Sequence, residues 1–74
     1  MILVSKINQD ILSEMQEQLL MIHDSIYNLL PEQGDITLDN LAEKFIIEKQ
    51  DNTLSDLFVD LGILNSAGLV NIAV

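Results

Sequence analysis

Leu12, Met15, Leu19, Ile22, Ile26 and Leu29 recur at alternating spacings of three and four residues, the a/d rhythm of a helical seam. A strand alternates its faces every second residue, so this period predicts an amphipathic helix. The flanking residues extend that prediction to 5–30. Ile7, Ile11, Leu20, Met21, Tyr27 and Leu30 widen the apolar face beyond the seam, which implies neighbours on more than one side. Asp10, Glu14, Glu17 and Asp24 are expected on the opposite face, about one to two helical turns apart. Pro31 should end the element, because proline disfavours helical geometry in the residue before it.

A chain of 74 residues makes one small domain, in which only about 60% of the unfolded surface is buried on folding. Without cysteine, neither disulfides nor thiolate metal sites can reinforce it, and oligomerisation is the remaining common device. Apolar residues make up 49% of the chain, more than so small a core hides. We therefore expect a homodimer, with Leu12, Met15, Leu19, Ile22 and Ile26 as the self-association residues, part of the seam holding the domain together and part joining two chains.

Lys6, Lys44 and Lys49 face twelve carboxylates, for a net charge of −9. Such a chain is repelled by phosphate backbones and anionic headgroups, so a nucleic-acid or membrane partner is not expected. The face formed by Asp10, Glu14, Glu17 and Asp24 is either simply solvated or meets a basic protein partner. The Met1 to Val4 run is too short for a signal-peptide core, and no apolar stretch approaches the roughly 20 residues that span a bilayer. The expectation is a soluble, cytoplasmic protein.

Two further helices are expected. One covers 37–49, capped by the Thr37 hydroxyl and stapled by Ile36 and Leu41, with Leu38, Leu41, Ala42 and Phe45 inward. Gln50, Asp51 and Asn52 break it. Thr53 with Asp56 makes a capping box for the next, expected over 53–61 with Leu54, Leu57, Phe58 and Leu61 inward. Gly62 suits a left-handed helix ending with Ile63 folding back on Phe58, although the helix could also run on to Leu64. Residues 69–74 form a short strand or helix. As a strand they would lack a hairpin partner, and Met1 to Val4 and Asp35-Ile36 are the candidate partners.

Asp35-Ile36-Thr37-Leu38-Asp39-Asn40-Leu41-Ala42-Glu43-Lys44-Phe45 resembles the second helix of bacterial winged helix-turn-helix domains. Leu61 to Val70 resembles the end of their recognition helix and the start of the wing. The resemblance implies a three-helix winged-helix-like core behind a long N-terminal helix, in a mainly α fold. It also implies a transcriptional regulator that binds DNA. The exposed face of the third helix, however, offers Ser55, Asp56, Val59 and Asp60, where base and phosphate contacts call for arginine, lysine, asparagine or glutamine. The chain stops where a first wing strand would end. More locally, Gly62 to Val70 is similar to the region around the phosphopantetheine-bearing serine of acyl and peptidyl carrier proteins. That likeness implies Ser66 as the attachment point, with Asn65 in place of the family's aspartate.

Ser66 otherwise reads as a cap or turn residue. His23, the single histidine, has no thiol to share a metal with and reads as a solvated or interfacial side chain. No pairing of nucleophile and base, phosphate loop or metal spacing is visible, so neither a catalytic residue nor a cofactor nor a metal is expected. The leading expectation is a small acidic, non-enzymatic protein-interaction module, a homodimer acting as adaptor or inhibitor of a larger protein or assembly. The DNA-binding regulator and the carrier fragment modified at Ser66 are the alternatives.

Overall fold

The computed structural model describes residues 1–48 and 53–74. Among the described residues four helices pack on one small antiparallel sheet, in the order β1 (Leu3–Lys6), α1 (Glu14–Ile22), α2 (Asp24–Tyr27), β2 (Asp35–Thr37), α3 (Leu38–Glu48), α4 (Leu54–Ser66) and β3 (Val70–Ala73). The fold is mixed and mostly helical. The expected end of the second helix at Lys49 and the break at Gln50, Asp51 and Asn52 lie outside the described residues.

The strand order is β2-β1-β3, so the N-terminal strand is the central one. Val4 lies opposite Ile36 on one side and Ile72 on the other. The amide of Ile7 donates to the Leu69 carbonyl at 3.0 Å and that of Leu38 to the Ile2 carbonyl at 2.8 Å. Alternate residues of β1 therefore bond to opposite neighbours, as antiparallel ladders require. Of residues 69–74, Val70–Ala73 form a strand, and its partner within the same chain is Leu3–Lys6, which overlaps the expected Met1 to Val4 only at Leu3 and Val4. The other expected partner, Asp35-Ile36, pairs with β1 instead of β3.

The single helix expected over 5–30 does not form. Leu3 to Lys6 join the sheet, residues 7–13 cross to the helical layer, and only Glu14–Ile22 and Asp24–Tyr27 are helical, with His23 between them. The cause at the N-terminal end is a capping box. The Ser13 hydroxyl accepts from the Gln16 backbone amide at 3.1 Å while the Gln16 side-chain Oε1 accepts from the Ser13 backbone amide at 3.0 Å, which starts the helix at Glu14. Ser13-Glu14-Met15-Gln16 is a sequence signal for that start. The break at His23 has no comparable signature.

The expected caps of the later helices are present. The Thr37 hydroxyl accepts from the Asn40 amide at 3.2 Å, and Thr53 and Asp56 cap each other reciprocally. The helix that was expected over 53–61 runs instead through Gly62 to Ser66. Its left-handed ending falls at Gly68, where φ is +78°, and not at Gly62. The Leu69 amide donates to the Leu64 carbonyl at 2.9 Å and the Gly68 amide to the Asn65 carbonyl at 3.1 Å. These are the two bonds of a Schellman ending, with the buried pair Leu64 and Leu69 as its apolar contact. That pair replaces the expected closure of Ile63 on Phe58. Both of those residues are exposed, whereas Leu64 and Leu69 lock the helix end to the start of β3.

The core gathers Val4, Val70 and Leu69 from the sheet side, Ile26, Leu29 and Leu30 from around α2, Leu41 and Phe45 from α3, and Leu57, Leu61 and Leu64 from α4. Among the described residues no polar residue is buried as a whole, although one lysine side chain is largely covered. Lys6 lies on the core side of β1 with its side chain 6% exposed. Its Nζ is 2.8 Å from Glu32 Oε1 and 4.6 Å from the centre of the Tyr27 ring. A cation over an aromatic face gains electrostatically, and here the contact ties the central strand to the turn after α2.

Replacing Phe45, 1% exposed, by alanine should cost about 3–5 kcal/mol. Ser13→Ala should cost only about 1 kcal/mol through loss of the α1 cap. Urea denaturation of the two variants beside the parent chain checks both values, and an equal cost would contradict the assigned roles.

Candidate functional site: an apolar groove between α1 and α4

The two helices are packed so that each leaves apolar side chains uncovered along their junction. On α1, Met15 is 63% exposed, while on α4 Val59 is 61% and Ile63 37% exposed. Between them runs an open groove of about 530 Å³, lined by Met15, Leu19, Val59, Gly62, Ile63, Ser66 and Ala67. Helical period explains the arrangement. Leu57, Leu61 and Leu64 point from α4 into the core, and Val59, Gly62, Ile63 and Ser66 fall on the other side. At one end of the groove the Gln16 amide side chain donates to the Ala67 carbonyl at 2.8 Å, fixing α1 against the end of α4.

Gly62 is the floor. An ideal Cβ built there meets nothing within 4 Å, and its backbone is in ordinary helical conformation. The same glycine borders a second hollow of about 200 Å³, on the other side of α4, with Ile2, Leu38, Phe58 and Ile72 among its walls. A glycine inside a helix costs roughly 0.5–1 kcal/mol relative to alanine. No tight contact within the chain requires it.

The expected self-association seam is divided by this arrangement. Ile26 is a core residue, Leu12 and Leu19 pack against the core, and only Met15 and Ile22 project into solvent. The expected acidic face is likewise distributed over three elements. Asp10 lies in the 7–13 connection, Glu14 and Glu17 in the first turn of α1, and Asp24 in the first turn of α2. They do not form one stripe on one helix, because that helix is interrupted.

The carboxylates of α4 are engaged locally. Asp56 belongs to the cap of its own helix, and Asp60 lies 3.4 Å from His23 Nδ1 at the break between α1 and α2. His23, 14% exposed in its side chain, is therefore an interfacial histidine and carries charge toward Asp60 only when protonated. Of the four residues expected on the outer face of the third helix, Ser55, Asp56 and Val59 are exposed and Asp60 is half-buried. Leu54 and Phe58, which were expected inward, are exposed beside them, as is Ile63, so this surface is more apolar than its aspartates suggest. Ser66 is exposed in the last turn of α4 and lines the groove.

Among the described residues, no three His, Asp or Glu side chains are grouped as a metal site would require, and no helix is long and apolar enough to cross a membrane. Neither a protein-family model, nor a curated protein, nor a solved structure matches the chain.

Gly62→Ala should raise stability by about 0.5–1 kcal/mol, since the added methyl enters open space and removes backbone freedom from the unfolded chain. For a domain of this size that is a rise in Tm of roughly 2–8 °C, read by thermal circular dichroism. A lowered Tm would show that the groove floor is already filled.

Proposed function

We propose that this protein is a small acidic, non-enzymatic protein-interaction module, acting as an adaptor or inhibitor of a larger protein through the groove between α1 and α4. The observation that carries the reading is the exposure of Met15, Val59 and Ile63 around one groove in a chain whose core is otherwise filled by aliphatic side chains and Phe45. Covering such side chains is worth roughly 1.5–3 kcal/mol each when complete, and grouped exposed apolar residues mark interaction surfaces more often than scattered ones do. Gly62 supports the same reading, because a glycine in an exposed helix lets another backbone approach closely.

In this reading β2, α3, α4 and β3 are a winged-helix-like core, a short strand followed by two helices and a second strand. The N-terminal strand fills the sheet between the two outer ones. The outer surface of α4 then serves a protein in place of DNA, since its described side chains include Asp56 and Asp60 but no cation. Self-association through the whole seam is left out, because Ile26 belongs to the core.

A photo-reactive amino acid placed at Val59 should give one discrete protein adduct in the cell of origin, and Met15→Asp should abolish it. The same group at Glu43 on α3, which does not line the groove, should give none. Equal labelling from both positions, or an adduct indifferent to Met15→Asp, would overturn the proposal.

A further inference from the structure

We infer that the occupant of the α1/α4 groove is an amphipathic helix with lysine or arginine beside its apolar face, and not a second copy of this chain. This rests on the docking role proposed above. Every carboxylate-, lysine- or arginine-type side chain on α1, α2 and α4 is acidic: Glu14, Glu17, Asp24, Asp56 and Asp60. The described lysines are elsewhere. Lys6 is bound to Glu32 beneath the sheet, and Lys44 is on α3. A second copy would set acidic helices against acidic helices, and each chain carries −9. Like-charge juxtaposition opposes association, whereas opposite potential favours it and speeds encounter. A basic partner therefore gains on both the apolar and the electrostatic side.

The groove also selects the conformation of its occupant. It is bounded by two helices, and no strand of the sheet lies along it, since its lining comes from α1, α4 and Ala67. An extended peptide would find no backbone edge to bond with. A helix satisfies its own backbone and can set a row of apolar side chains into the channel. The 13 residues of α4 make a helix about 20 Å long. A partner helix of about three to four turns matches that length.

The test is a titration of the isotopically labelled full chain with three synthetic peptides. The first is an amphipathic leucine/lysine helix, the second a leucine/glutamate helix of the same pattern, and the third a leucine/lysine peptide of scrambled order. Chemical shifts report the site, and sedimentation of the protein alone reports self-association. The leucine/lysine helix should shift Met15, Leu19, Val59, Gly62 and Ile63 and bind more weakly as salt rises. The leucine/glutamate helix should bind at least about tenfold more weakly. The double variant Glu14→Gln/Asp24→Asn should reduce that ratio, and it removes no hydrogen bond seen in the fold.

Equal affinity for the basic and acidic helices would overturn the inference while leaving the groove as a docking site. So would equal binding of the scrambled peptide, or a dimer that Val59→Asp dissociates. If no peptide shifts the groove residues and Met15→Asp/Val59→Asp changes neither cross-linking nor sedimentation, the docking role itself fails. Met15 and Val59 are exposed, so the double variant should remain folded, and its circular dichroism checks that it does.

Discussion

The pairing of the N-terminal strand with two partners at once is the constraint on which the rest of this molecule depends. β1 carries only Leu3 to Lys6, yet its backbone bonds join β2 on one side and β3 on the other. Without it, the two outer strands would face each other across a gap and neither could complete a ladder. With it, the N-terminal strand takes the middle of the sheet with the C-terminal strand at its edge, and Val4 becomes the buried centre of the sheet. Lys6, held by Glu32 and Tyr27, ties the same strand to the helical layer.

From that anchor the placement of the helices follows. The Schellman ending at Gly68 sets the start of β3, so α4 is docked through Leu57, Leu61 and Leu64. Gln16 then holds α1 to the end of α4. Once these contacts are made, the core is complete and the remaining apolar side chains of α1 and α4 have no partner within the chain. The groove is what is left when a chain that is 49% apolar folds around a core too small to use all of it. The two helices that border it carry Glu14, Glu17, Asp56 and Asp60 and no lysine. Geometry and charge thus point to the same kind of occupant.

How far the sequence could be read depended on whether the signals were local. Thr37, and Thr53 with Asp56, cap the helices expected there, because a cap is decided by residues three apart. The same local logic was available in Ser13-Glu14-Met15-Gln16, where the apolar seam outweighed it and suggested a longer helix. At Gly62 the choice between ending and continuing could not be made locally. The helix continues because Leu64 gains a buried place beyond it and Gly68 supplies the left-handed residue one turn later. The acidic character of α1 and α4 was legible in their composition, whereas the exposure of Phe58 and Ile63 was not.

By itself the sequence determined the charge of −9, the lack of thiol chemistry and the caps of α3 and α4, all of which depend on composition or on neighbours within one helical turn. Only the tertiary structure decided that Leu3 to Lys6 are a strand, that the seam is divided at His23, and that Ile26 is buried while Met15 and Ile22 are not. The physical reason is the reach of the bonds involved. A helix satisfies its backbone within four residues, whereas β1 must find partners at Asp35–Thr37 and Val70–Ala73. An apolar side chain, likewise, is buried or exposed according to which distant elements arrive beside it.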